Sequence, residues 1–241
     1  LLLRPDGSLV GTVGGGAIEH AVIEALGECA RSGRPHVMLR DLGRDLGMCC
    51  GGRMEVLIEP IEAAPRLVIF GAGHVGQATA RVATSLGFRV VVVDDREELN
   101  DVARFPTAER LLLPPRAARD ELAPTANDFF LVTTHDHRLD EEALDTYARL
   151  PHRYVGVIGS RRKLYKILQR IDARAGLPPL DRVYGPVGLD LGAVTPDEIA
   201  VAIAAELVAI RHGKAGLPHM RCMGDPQLRT LLARAATEPE E

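Results

Sequence analysis

The chain has 241 residues, 46% of them hydrophobic and 26% charged, with a net charge of −4; this is enough for one or two packed domains and gives no global basic surface for nucleic acid. Aromatic residues make up only 4% and tryptophan is absent, which removes a base-stacking platform. No apolar run approaches the ~18 residues needed to cross a bilayer, and four cysteines are too few for a disulfide framework, so a reducing, cytoplasmic setting is expected.

The chain opens at Leu1 in strand-like sequence without an initiator Met or a visible signal peptide, and a trimmed start is expected. Residues 1–64 read as a small α+β domain. "LLLR" and "LVGTVG" flank Asp6-Gly7, a hairpin turn. Gly14, Gly15 and Gly16 break the pattern before a helix whose apolar face is Ile18, Ala21, Val22, Ala25, Leu26 and Cys29, ended by Gly33. "HVMLRDL" and "RMEVLIEPI" are two further strands around a turn that carries Cys49, Cys50, Gly51 and Gly52. Pro60 and "EAAP" at 62–65 form a linker.

Residues 65–241 alternate strand and helix. The predicted strands are 66–70, 89–94, 109–113, 128–133 and 153–158, with helices near 74–86, 117–122, 138–149 and 160–175. This is the pattern of a parallel sheet covered by helices, an α/β fold of Rossmann type behind the smaller domain. A last helix begins at Thr195, with Pro196 at its first position and Glu198 completing a capping box, and closes at Gly213.

Four places can carry chemistry. In "RLVIFGAGHVGQATARVATSLGFRVVVVDD" a strand leads into Gly71-x-Gly73-His74-x-Gly76, then a helix and a second strand ending at Asp94. Gly71 permits the turn, Gly73 lets a pyrophosphate approach, Gly76 allows close helix packing, and Asp94 suits a ribose hydroxyl, favouring NAD over NADP. "TTHDHRLD" sets His135, Asp136, His137 and Asp140 beyond a strand end. There they either bind a metal or move protons, or serve as helix cap and solvated loop. In "GSRRK", Ser160 caps a helix whose first turn holds Arg161, Arg162 and Lys163; cations there oppose the dipole unless an anion binds. The glycine turn, the two histidines and this helix start are expected to face one cleft, with Gly14–Gly16, Cys49 and Cys50 of the smaller domain on its other side. Finally, Gly14–Gly16 before a helix resembles an anion cradle. The thiols of Cys49 and Cys50 on a glycine turn suit a soft metal or a persulfide, whereas Cys29 is expected to pack.

In order along the chain, "DGSLVGTVGGGAIE", "CCGGRMEVLIEP", "VIFGAGHVG", "TTHDHRLDEEAL", "YVGVIGSRRK" and "GPVGLDLGAVTPDEIAVAIAAEL" resemble the XdhC/CoxI family of accessory factors for xanthine dehydrogenase and related molybdenum hydroxylases. The resemblance implies a chaperone rather than a turnover enzyme. Such a protein binds the molybdenum cofactor, protects it during sulfuration and delivers it to an apo-enzyme. It makes Gly14–Gly16 and the Cys49–Gly52 turn cofactor-binding candidates, with Cys49 and Cys50 on the molybdenum. A family segment ahead of the glycine stretch is missing here. The expected partners are a molybdenum hydroxylase apo-enzyme, a cysteine desulfurase and a second copy of the chain as a homodimer, with no nucleic acid and no membrane. Two alternatives stand beside this: an NAD(P)-dependent oxidoreductase with His135 as acid–base, and a persulfide sulfurtransferase acting through Cys49 or Cys50.

Overall fold

At the N-terminus the Asp6-Gly7 turn behaves as its residue types require. Gly7 takes φ 82°, its N–H donates to the Arg4 carbonyl (3.0 Å), and Asp6 Oδ1 accepts the Ser8 N–H (2.9 Å). The turn joins strands β1 (Leu2–Leu3) and β2 (Leu9–Val10) in antiparallel register. This is a computed structural model, and it describes residues 1–47, 52–61 and 64–214 with the backbone of 219–221. The chain divides into two compact units, Leu1–Ala63 and Ala64–Glu241.

In the first unit, Gly14, Gly15 and Gly16 hold φ of 120°, 73° and 65°, a region only glycine enters at little cost. They turn the chain into helix α1 (Gly16–Ser32), which Gly33 ends in the left-handed conformation. Ile18, Val22, Ala25 and Cys29 of α1 pack on Met38 of β3 (His36–Asp41) and Ile58 of β4 (Arg53–Ile58), an antiparallel pair with Met38 opposite Val56. Cys29 is 1% exposed and its thiol donates to the Arg34 carbonyl (3.3 Å), so it packs as a small hydrophobe.

The second unit is built on a parallel sheet of β5 (Arg66–Phe70), β6 (Arg89–Val93), β7 (Glu109–Leu111), β8 (Phe129–Val132), β9 (Tyr154–Val157) and β10 (Val183–Leu189). Among the described residues the order is β7-β6-β5-β8-β9-β10, with β11 (His219–Arg221) antiparallel beyond β10. The Rossmann-type parallel sheet expected from the alternation is present. Side chains on alternate faces feed two cores. Leu67, Ile69, Val90, Val92, Phe129 and Leu131 meet α2 (His74–Ser85) and α6 (Pro196–Arg211). Val68, Phe70, Val91, Val93, Phe130 and Val132 meet α4 (His137–Tyr147) and α5 (Arg161–Ala175), with α3 (Ala118–Leu122) at the margin. Burial on both faces explains why these strands read as unbroken apolar runs.

The sequence pattern does not predict β10. Its residues, "VYGPVGL", include two glycines and a proline, which weaken a strand signal. It pairs with β9 only through Val183 and Tyr184. A buried carboxylate ties it to α6: Glu206 Oε1 accepts the Tyr154 hydroxyl (2.5 Å) and the Gly188 N–H (3.1 Å). Burial, then the nearby Glu206 charge, pushes the Tyr154 hydroxyl well above its ordinary pKa. Thr195 begins α6 with the predicted capping box.

Candidate functional site

The strand order reverses between β5 and β8, and in open α/β sheets ligands gather outside the carboxyl ends of the strands at such a point. The chain leaves β5 through Gly71, Ala72 and Gly73. Gly71 has φ 116° and donates to the Val93 carbonyl (2.9 Å); a Cβ there would collide with the Thr133 carbonyl. A Cβ on Gly76 would collide with the Gly71 carbonyl. Both glycines are therefore demanded by packing. Gly73 is not: it has an extended backbone (φ −68°, ψ −173°) and nothing within 4 Å of the position its Cβ would take. Gly73 is the N-cap of α2 and provides no side-chain cap, and no acidic residue stands in the first turn, so α2 presents a bare N-terminus suited to an anion. His74 is exposed beside it.

Asp94 is 6% exposed and committed to the chain itself. Oδ2 accepts the Ala72 N–H (2.8 Å), and the Arg96 guanidinium grips both oxygens (2.8 and 2.6 Å). Burial opposes its charge, but the Arg96 and Ala72 hydrogen bonds outweigh that and hold its carboxyl below the ordinary value. The acid expected on a ribose thus braces the glycine turn. Arg104 braces it from the other side, donating to the Ala72 carbonyl (3.0 Å). Neither arginine is signalled by the glycine motif; Arg96 is marked only by standing two residues past the acid. The Gly73 side of the turn is open, whereas Asp94, the acid expected on a ribose, is already engaged by the chain.

Past β8, Asp136 caps α4, its Oδ1 accepting the Arg138 N–H (2.6 Å). Asp140 is buried; Oδ1 accepts the Thr134 hydroxyl (2.7 Å) and N–H (3.2 Å), and Oδ2 lies 2.5 Å from Lys163 Nζ. His135 and His137 line different hollows. His135 lines a hollow of about 530 Å³ with Asp95, Arg96 and Asp136. His137 lines another, of about 320 Å³, with Ser160 and α5. Ser160 caps α5 as expected, accepting the Lys163 N–H (3.2 Å). Lys163, expected to face an anion, instead folds back over Gly159, donates to the Ile158 carbonyl (3.1 Å) and neutralises Asp140. This ties the β8–α4 loop to the β9–α5 loop. Arg161 also makes contacts of its own.

In the first unit the Gly14–Gly16 cradle holds an anion of the chain's own. Glu19 Oε2 accepts the Thr12 hydroxyl and the N–H groups of Val13 (3.2 Å) and Gly15 (3.1 Å). Those bonds, the Thr12 hydroxyl first, hold Glu19 below the ordinary carboxylate range. Cys49, Cys50 and Gly51 lie outside the described residues. The stem of their turn is described: Leu42 N–H donates to the carbonyl of Gly52 (2.8 Å), which has φ 136°. Among the described residues no group of three or more His, Cys, Asp or Glu stands close enough to hold a metal ion, and no helix is long and apolar enough to cross a membrane.

Two family models match the chain in sequence order. The model of the XdhC and CoxI family covers residues 1–42, and that of the XdhC Rossmann domain covers 67–207. The Escherichia coli K12 protein YqeB, itself uncharacterised, is 35% identical over 223 residues, which is 90% of this chain and 41% of YqeB. A probable xanthine dehydrogenase subunit from Bacillus subtilis 168 is 32% identical over 157 residues, 65% of this chain and 46% of that protein. The chain thus spans less than half the length of either relative. A crystal structure of a xanthine dehydrogenase from Bacillus halodurans shares the fold at TM-score 0.58 and 22% identity, over 88% of this chain and 86% of that one.

Proposed function

We propose that this chain, which belongs to the XdhC and CoxI family, serves in the maturation of a xanthine-dehydrogenase-type molybdenum hydroxylase. One observation carries the reading: both family models match one chain, the N-terminal module first and the Rossmann module second. The name of the Bacillus subtilis relative points the same way. In this reading the chain binds the molybdenum cofactor as cargo, supports its sulfuration and hands it to the apo-enzyme, with a cysteine desulfurase as the source of sulfur. Cys49 and Cys50 contact the metal end of the cargo, a role that suits soft thiolate ligands. The bare N-terminus of α2 behind Gly73 takes a phosphate or the pyrophosphate of a nucleotide such as NAD(P), a reading supported by the lack of a side-chain cap or a first-turn acid and by the absence of any described atom within 4 Å of a Cβ at Gly73.

The test uses the full chain, released molybdenum cofactor and a xanthine-dehydrogenase-type apo-enzyme. Molybdenum should comigrate with the chain on gel filtration, and the apo-enzyme should regain xanthine oxidation faster with the chain present. A Cys49→Ala/Cys50→Ala double variant should retain less molybdenum. If no molybdenum comigrates and apo-enzyme recovery is unchanged, the reading is wrong.

A further inference from the structure

Arg162, Lys166 and Arg170 stand four residues apart on α5, so they share one face of the helix. All three are exposed, and the row extends about 12 Å. With His137, Ser160 and Lys163 they line the hollow of about 320 Å³ described above. We propose that this face of α5 is a second anion site, separate from the glycine turn, that takes the phosphate groups of a small phosphorylated ligand. The proposal goes beyond the maturation role and does not depend on it.

Charge balance carries it. The lining holds four permanent cations, of which two are neutralised by the chain. Lys163 is paired with buried Asp140 (2.5 Å), and Arg170 with Glu141 (2.6 Å), which Arg174 also contacts (2.8 Å). Arg162 and Lys166 have no acidic partner among the described residues. They repel each other at i,i+4, and Arg162 stands in a first turn that contains no acidic residue, where the helix dipole is also positive. Packing does not explain this repulsion, since both side chains are exposed. A bound dianion relieves all of it at once through charge-assisted hydrogen bonds. The hollow has the volume of a small-molecule site. No Phe, Tyr or Trp side chain lines it and its ring is the His137 imidazole, so its cations, directed at the phosphate end, dominate recognition.

The probe is inorganic pyrophosphate, titrated calorimetrically into the full chain at low salt, where exposed charges are least screened. The wild-type chain should bind it, and in a Gly73→Asp background, which removes the glycine turn as a competing site, adding Arg162→Gln/Lys166→Gln should weaken binding about tenfold or more. Gly73→Asp separates the two sites: its Cβ enters open space, aspartate is a good N-cap, and its charge blocks the glycine turn. Binding at α5 should survive that change within about twofold. The double variant without ligand should melt no lower than wild type, because it loses like-charge repulsion. The proposal fails if wild type does not bind pyrophosphate, if Arg162→Gln/Lys166→Gln in the Gly73→Asp background binds as well as Gly73→Asp, or if Gly73→Asp alone abolishes binding. It fails also if the unliganded double variant melts lower, which would assign the cations to the fold.

Discussion

Glycines 71, 73 and 76 look equivalent in the motif, yet they answer to different physics. Gly71 has positive φ and Gly76 touches backbone, whereas Gly73 has ordinary dihedrals and open space. Gly71→Ala is expected to destabilise the chain by about 3 kcal/mol or more, combining left-handed strain with overpacking. Gly73→Ala should change stability by less than about 1 kcal/mol, the range of an N-cap exchange, while weakening any phosphate bound there. Urea unfolding of the two variants checks this, and equal losses would contradict it. A second contrast lies between neighbours on α5. Lys163→Met leaves Asp140 charged and buried, 1% exposed at its side chain, and is expected to cost about 3–5 kcal/mol. Arg162→Gln, exposed one residue earlier, should stay within about 0.5 kcal/mol. If Lys163→Met proves as mild as Arg162→Gln, the tie between the two loops contributes nothing.

Among the elements, α6 shows how a local signal survives into the structure. Thr195 Oγ1 accepts the Glu198 N–H (3.3 Å), and Glu198 Oε2 accepts the N–H groups of Val194 (2.8 Å) and Thr195 (2.9 Å). Thr195→Ala should cost about 1 kcal/mol. The Thr195 and Val194 N–H groups lower the Glu198 pKa from its ordinary 4.5. A lowered folded pKa gives stability that is complete above that ordinary value and lost as pH falls through the lowered one. Glu198→Gln should therefore flatten acid unfolding below pH 4.5, and an unchanged acid limb would refute the assignment. Such caps were legible because they involve residues three apart; so were the cap at Ser160, the end of α1 at Gly33, and the strands buried on both faces, whereas the spacing left open whether Asp136 or Asp140 caps α4. The strand β10 was not, because its Gly and Pro residues lie where pairing with β9 has already ended. The partners of Glu19, Asp94 and Lys163 were not legible either. Each motif correctly located a charge at a loop edge. Whether that charge faces a ligand or the chain depends on distances between separate loops, such as Lys163 to Asp140 (2.5 Å), which spacing along the sequence does not encode.

At the scale of the whole molecule, the hydrophobic interior is divided as the chain is. Ile18, Val22, Ala25, Cys29, Met38 and Ile58 form one buried cluster, wholly within Leu1–Ala63. The two clusters on either face of the parallel sheet draw every buried member from Ala64–Glu241. A unit of about 60 residues buries a smaller fraction of its surface than a larger one and is correspondingly marginal, and a chain with separate cores need not unfold in one step. Calorimetry should therefore show two transitions, the lower from the first unit. Truncating a core side chain tests which transition belongs to which core, since each change costs about 2–5 kcal/mol where it acts. Ile58→Ala, from a side chain 2% exposed, should lower the first transition and leave the second in place. Leu131→Ala, from one fully buried in β8, should do the reverse. A single transition moved equally by both substitutions would mean that the two cores unfold as one cooperative body, and that the stability of the cysteine-bearing unit is inseparable from that of the Rossmann unit.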